Sequence, residues 1–152
     1  MTPEERLQLL RVVLPEPPKP LGRYVPAAVA GGLLFVSGML PLKDQRPVST
    51  GRVGAEITIA DAREAARLAA LNGLAAARAA LGSLERIRRL ARLTVHIAAD
   101  TDFTAHAAVA DGASELLAAL FEEGGGHARL ALGASSLPGG MPVELEMIFE
   151  LA

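Results

Sequence analysis

HARLALGASSLPGGMPVELEMIFE, residues 127–150, reads as a strand, a tight turn and a second strand, and the fold depends on where its side chains point. Successive side chains on a strand take opposite faces, so Val143, Leu145, Met147, Phe149 and Leu151 point one way and Glu144, Glu146 and Glu150 the other. In the preceding segment Leu130, Leu132 and Ala134 alternate with Arg129, Ala131 and Gly133. If the apolar sets share one core, Arg129 and Glu144 lie together on the opposite face, and the small Ala131 and Gly133 leave space beside the guanidinium. Two readings of that face stay open on alternation alone. One is a solvated Arg among carboxylates, a surface pairing worth roughly 0–1 kcal/mol. The other is a guanidinium fork for a ligand carboxylate, beside a glutamate able to position a water.

The elements before this stretch supply its partners. Thr58 followed by Asp61 resembles a capping box and opens an alanine-rich helix over 59–81, which Gly82 stops. Ala62, Ala66, Ala69, Gly73, Ala77 and Ala80 give that helix a flat stripe of small residues, suited to lie close against a sheet. A strand over 89–98 follows, then a second helix over 103–122 with Phe103, Ala107, Ala110, Leu117 and Leu120 on one buried face. The triple glycine 124–126 closes it.

Towards the start, Leu7, Leu10 and Leu14 predict a helix over the first 14 residues, and LPEPPKPLG (14–22) is a stiff connector. Strands are expected over 24–30 and 33–37, and a polar loop over 43–56 with a short strand at Arg52-Val53. The order β-β-(β)-α-β-α-β-β predicts an α+β fold, a single sheet with two helices packed on one face. The organisation is an N-terminal helix and connector, 1–20, before one folded domain, 21–152. The sheet's other face needs a cover, which points to self-association.

Composition narrows the functional classes. The chain has 152 residues, 51% of them hydrophobic but only 3% aromatic and none Trp, so Ala, Leu and Val must fill the core. A net charge of −2 argues against a nucleic-acid binder, whose affinity depends on neutralising phosphates. The arginines Arg86, Arg88, Arg89 and Arg92 cluster without interleaved aromatics, as on a solvated or interfacial surface. The absence of cysteine excludes disulfides, thiolate nucleophiles and zinc–thiolate sites together.

The charged opening MTPEERLQLLRVVL has no apolar core of a secretory leader, so a cytoplasmic protein is expected. The uncharged run 25–42 is broken by Pro26, Gly31-Gly32, Ser37-Gly38 and Pro41, which suits two short strands rather than a membrane span. No nucleotide-binding glycine motif occurs, since Gly124 to Gly126 follow a helix rather than a strand. His96, His106 and His127 lack ligand spacing, so no metal is expected. Ser114 and Ser135 sit in no nucleophile-elbow sequence, and His127 after the glycine run reads as structural.

A set of short pieces in a specific order gives the chain a likeness. Tyr24 with the strand after it, LLFVSGMLPL (33–42), Asn72, TDF (101–103), AR (128–129), LP (137–138) and VELE (143–146) together resemble the RidA/YjgF family, also labelled endoribonuclease L-PSP or translation-inhibitor-like. The likeness covers nearly all the chain from Leu21 onward. It implies a chorismate-mutase-like fold assembled as a homotrimer, with three sites in clefts between subunits. It also implies cofactor-free hydrolysis of reactive enamine and imine intermediates to 2-keto acids and ammonia.

In that reading Arg129 grips the substrate carboxylate and Glu144 positions the attacking water, while Tyr24 lines or closes the pocket. Ser37 and Gly38 form part of its wall together with Met39, which makes that wall more apolar. The partners implied are a small carboxylate and further copies of the chain, with neither membrane nor nucleic acid. The chain departs from the family pattern at His127 and Leu130, where active deaminases usually carry Pro and Ser, and at Met39, where Gln is frequent. A trimer that binds small carboxylates or a regulatory partner without turnover is the alternative, and RNA cleavage is the third reading.

Overall fold

The computed structural model describes residues 1–152 apart from the side chain of Glu122. Five strands form the main sheet in the order β1-β2-β7-β5-β6: β1 (Ala27–Ala30), β2 (Leu33–Met39), β5 (Ile87–Ala98), β6 (Ala128–Ala134) and β7 (Val143–Leu151). A two-stranded ribbon, β3 (Leu42–Lys43) and β4 (Arg46–Pro47), stands beside it. Three helices complete the chain: α1 (Pro3–Leu9), α2 (Ile59–Leu81) and α3 (His106–Leu120). None of the helices among the described residues is long and apolar enough to cross a membrane.

Helix α2 occupies the span its end signals predict. Thr58 accepts a hydrogen bond from the Asp61 amide, and Gly82 takes the left-handed conformation (φ 82°) that ends the helix. Ala62, Ala66, Ala69, Gly73 and Ala77 are buried as expected, while Ala80 faces solvent. A Cβ on Gly73 would sit 2.0 Å from Met147 Cε of β7, so the helix backbone lies directly on the sheet. Helix α3 packs on α2 more closely still, because Gly112 lies against the Arg63 carbonyl.

Other boundaries move for local reasons. Helix α1 ends at Leu9 rather than near 14, because Arg11 turns left-handed (φ 54°). Strand β1 begins at Ala27, since Pro26 has no amide for the ladder. Helix α3 starts at His106, not Phe103; the Phe103 amide instead closes a turn onto the Asp100 carbonyl. Ala107, expected in the buried face, is exposed. The polar loop contains the β3–β4 ribbon, and Val53 forms isolated bridges to Ile57 and Ala99.

The largest difference from the sequence reading concerns the closing pair of strands, which do not pair with each other. Strand β6 runs parallel to β5 at the sheet edge, because α3 provides the crossover of a β-α-β unit. Strand β7 lies on the other side of β5, antiparallel to it and to β2. The register then fixes the faces. Leu93 of β5 is fully buried under the helices and stands beside both Met147 and Arg129. His96, three residues on, stands beside Glu144. Arg129 therefore lies on the helix side of the sheet and Glu144 on the open side.

In β7 the apolar set Val143, Leu145, Met147 and Phe149 faces the core, as alternation predicts. In β6 the expectation is reversed. Ala131 packs on the core, and a Cβ on Gly133 would approach His106 Nε2 of α3 to 3.1 Å. Their smallness marks the close approach of the helix, while Leu130 and Leu132 belong to the open face. That face carries no helix, and Phe35 and Leu130 remain 42% and 46% exposed on it.

Asn72 ties this frame to the chain leaving β2. It is buried in α2, and its side-chain amide donates to the Leu40 and Leu42 carbonyls, both at 2.9 Å. Asn72→Ala strands two acceptors in the interior, so a loss of about 1–3 kcal/mol is expected in urea denaturation. Asn72→Asp, which lacks the donors, should cost at least as much.

Candidate functional site

Strand β2 breaks register between Val36 and Met39, where three residues of β2 span two of β7. This β-bulge turns both Val36 and Met39 into the core and leaves Ser37 and Gly38 on the open side. Met39 is therefore not a wall of an open-face pocket: it is buried in the core, against α2 beside Gly73. The reason is the extra residue of the bulge, which shifts the alternation by one.

Glu146 stands opposite this bulge in the register, and the side chain of Glu144, two residues along the same face, reaches Gly38. A Cβ on Gly38 would sit 3.1 Å from Glu144 Cδ and 3.3–3.4 Å from its oxygens, so glycine gives the carboxylate its place. Ser37 Oγ donates to the Val25 carbonyl at 2.6 Å, and the Ser37 amide donates to Pro26 O at 2.8 Å. These bonds fasten the segment after Tyr24 to the bulge. Tyr24 is 48% exposed, and its hydroxyl accepts from the Leu21 amide at 3.0 Å. Thus Glu144 and Gly38 are in direct proximity, and Ser37 joins the Tyr24 segment to them.

His96 and Glu146 complete the electrostatics of this face. Burial pushes the Glu144 carboxyl above the usual carboxylate range; a charge on His96 opposes the shift, and the like charge of Glu146 adds to it. Glu144 should therefore titrate above an ordinary glutamate by NMR, falling back in Glu146→Gln and rising in His96→Ala. The folded state holds this proton more tightly than the unfolded one. The contribution of Glu144 to stability is therefore largest at low pH and is lost as pH rises through its folded value.

Arg129 belongs to a second group, on the helix side of the β6 edge. Its Nη1 donates to Asp111 Oδ1 at 2.6 Å and to Ser114 Oγ at 3.1 Å, both on α3. Ser114 Oγ is in turn 2.9 Å from His127 Nε2. Burial lowers the His127 pKa, and the charge of Arg129 lowers it further. Arg129 and Glu144, expected on one face, are separated within the chain by strand β5 and by the sheet itself.

Sequence alone does not mark Asp111 and Ser114 as partners of Arg129, although their spacing of three places them on one helix face. His96 reads from the sequence only as a rejected metal ligand, and its period-two spacing from Arg92 and Thr94, which places all three on one face, is the signal for its position on the open face. The outer carboxylate Glu150 pairs with Arg88 at 3.1 Å and with Arg89, in keeping with a solvated or interfacial role.

Comparison with known proteins agrees with this architecture. A family model described as "YjgF/chorismate_mutase-like, putative endoribonuclease" matches residues 4–149. Protein TCP17 of Trypanosoma cruzi is 40% identical over 146 residues, covering 95% of this chain and 91% of that protein. Among solved structures, Atu1372 of Agrobacterium tumefaciens, a protein of unknown function, is 40% identical with a TM-score of 0.90, covering 99% of this chain and 92% of its own. A Shewanella oneidensis protein carrying the same endoribonuclease description is 33% identical with a TM-score of 0.94, covering 99% and 100%. With motifs, topology and these relatives in accord, the chain belongs to the YjgF/chorismate mutase-like family.

Proposed function

We propose that the protein is a cofactor-free hydrolase that deaminates small imine and enamine carboxylates in clefts between the subunits of a homotrimer. The observation that carries this reading is the separation of Arg129 and Glu144 on opposite faces of one sheet. Neither completes a site alone, and the uncovered face bearing Glu144 still exposes Phe35 and Leu130. A second copy seated on that face brings its β6 edge, with Arg129, towards the Glu144 of the first.

The chemistry derives from the residues. An imine is already electrophilic, so catalysis needs orientation, a water and proton transfer rather than a cofactor. Arg129 of one copy holds the substrate carboxylate. Glu144 of the other accepts a proton from water as its oxygen attacks the imine carbon, while the nitrogen takes up a proton. The carbinolamine then collapses: Glu144 returns its proton to the nitrogen, the carbon–nitrogen bond breaks as the hydroxyl forms the carbonyl and releases its proton to solvent, which balances the solvent proton taken up by the nitrogen, and the products are a 2-keto acid and ammonia. A carboxyl with a raised pKa suits both halves of that cycle. Tyr24 and the Ser37-Gly38 bulge line the side of the cleft nearest Glu144.

The test is ammonia release from an imino acid generated in situ by an amino acid oxidase. The wild-type protein should accelerate it, and Glu144→Gln should remove the acceleration. Binding of 2-ketobutyrate without turnover of any imine supports a non-catalytic carboxylate binder instead. RNA cleavage that survives in Arg129→Ala marks a contaminating nuclease.

A further inference from the structure

The hydrogen bonds around Arg129 give it more than the role of a carboxylate grip. A guanidinium carries five N–H bonds, two on each Nη and one on Nε. Both hydrogens of Nη1 are committed, one to Asp111 Oδ1 and one to Ser114 Oγ. The end-on fork formed by Nη1 and Nη2 is therefore broken, and the Nε–Nη2 edge is the pair left for a ligand.

The proton order continues through Ser114. Its oxygen accepts from Arg129, so its own hydrogen is free to go to His127 Nε2, 2.9 Å away. That arrangement requires a neutral His127 with its proton on Nδ1, and burial and the neighbouring guanidinium both favour the neutral ring. The arrangement spans two elements: Asp111 and Ser114 come from one face of α3, His127 and Arg129 from β6 and the turn before it.

We propose that Asp111 and Ser114 are positioning residues that fix Arg129 with its Nε–Nη2 edge outward, and that the Asp111–Arg129 pair makes the site selective for monocarboxylates over dicarboxylates. Selectivity comes from charge. Asp111 already neutralises the guanidinium, so a ligand is held by paired hydrogen bonds rather than by excess positive charge. A second ligand carboxylate meets the Asp111 anion, and the neighbouring guanidinium, Arg63, is already paired with Glu115 at 2.8 Å. The proposal rests on the assignment of Arg129 to the ligand carboxylate under the proposed function.

Calorimetric titration of the 152-residue chain with 2-ketobutyrate and 2-ketoglutarate tests it, with circular dichroism to check folding. The wild type should prefer the monocarboxylate. Asp111→Asn should weaken 2-ketobutyrate about tenfold while tightening 2-ketoglutarate, an inversion that a purely structural role does not produce. Asp111→Glu should restore most of the original preference, and Ser114→Ala should weaken 2-ketobutyrate without changing the order. If Asp111→Asn binds 2-ketobutyrate as tightly as the wild type or tighter, Asp111 is a competitor or a bystander and the proposal is overturned, while the Arg129 assignment stands. Unchanged binding in Arg129→Ala overturns that assignment and this proposal with it.

Discussion

Arg129→Ala is expected to lower kcat/KM for imine hydrolysis by about a hundredfold or more while leaving the fold intact. Two charge-assisted hydrogen bonds to a carboxylate contribute about 1.5–3 kcal/mol each, and about 1.4 kcal/mol corresponds to a factor of ten in rate. Stability should change little because, of the two partners left behind, Asp111 has a side chain 46% exposed and stays hydrated, and Ser114 keeps its contact with His127. Arg129→Lys should rescue poorly. An ammonium cannot hold Asp111 and Ser114 from one nitrogen while offering a planar pair of donors to a ligand. Parallel ammonia-release assays and thermal melts check both halves of this expectation.

Gly112→Ala should produce the largest loss of stability from a single added methyl group. Its Cβ would fall 2.2 Å from the Arg63 carbonyl oxygen and 2.8 Å from the Arg63 carbonyl carbon and Cα, all main-chain atoms of α2. No rotamer change relieves that clash, so α2 and α3 must part. Overpacking of this kind costs about 1–3 kcal/mol or more, against a gain of only about 0.5–1 kcal/mol in helix propensity. A net loss of about 2 kcal/mol, or roughly 4–8 °C in Tm, is expected. Gly73→Ala is the internal control: its nearest neighbour is the terminal methyl of Met147, which has torsional freedom, so urea denaturation should record a smaller loss.

How far the fold is legible in the sequence depends on whether the signal is local. Helix α2 is readable to the residue because Thr58 and Gly82 mark its ends chemically. The inward set of β7 is readable because alternation is local as well. The face of β6 is not, since alternation gives two sets without saying which is buried, and that depends on the crossover beside β5. The small residues Ala131 and Gly133 face α3 because it lies close, and the leucines face outward. Size is thus the better guide to the helix and hydrophobicity the misleading one.

The candidate site divides in the same way. The order of the short motifs carries the family, and with it Glu144 and Gly38, which the structure brings into direct proximity. Met39, which the resemblance puts in the pocket wall, lies in the core because one additional residue in a strand reverses the parity of every later position, and a bulge leaves little trace in sequence. Asp111 and Ser114 acquire meaning only through Arg129, which approaches them from a different element, and His127 through its contact with Ser114.

If each site takes Arg129 from one subunit and Glu144 from another, as proposed, mixing two inactive variants should rebuild it. Arg129→Ala and Glu144→Gln should each be inactive alone. When the two are unfolded together and refolded as mixed oligomers, roughly a quarter of the interfaces combine an intact Arg129 from one variant with an intact Glu144 from the other. Ammonia-releasing activity near that fraction of the wild type is expected. A mixture that forms oligomers yet stays as inactive as its parents would contradict it.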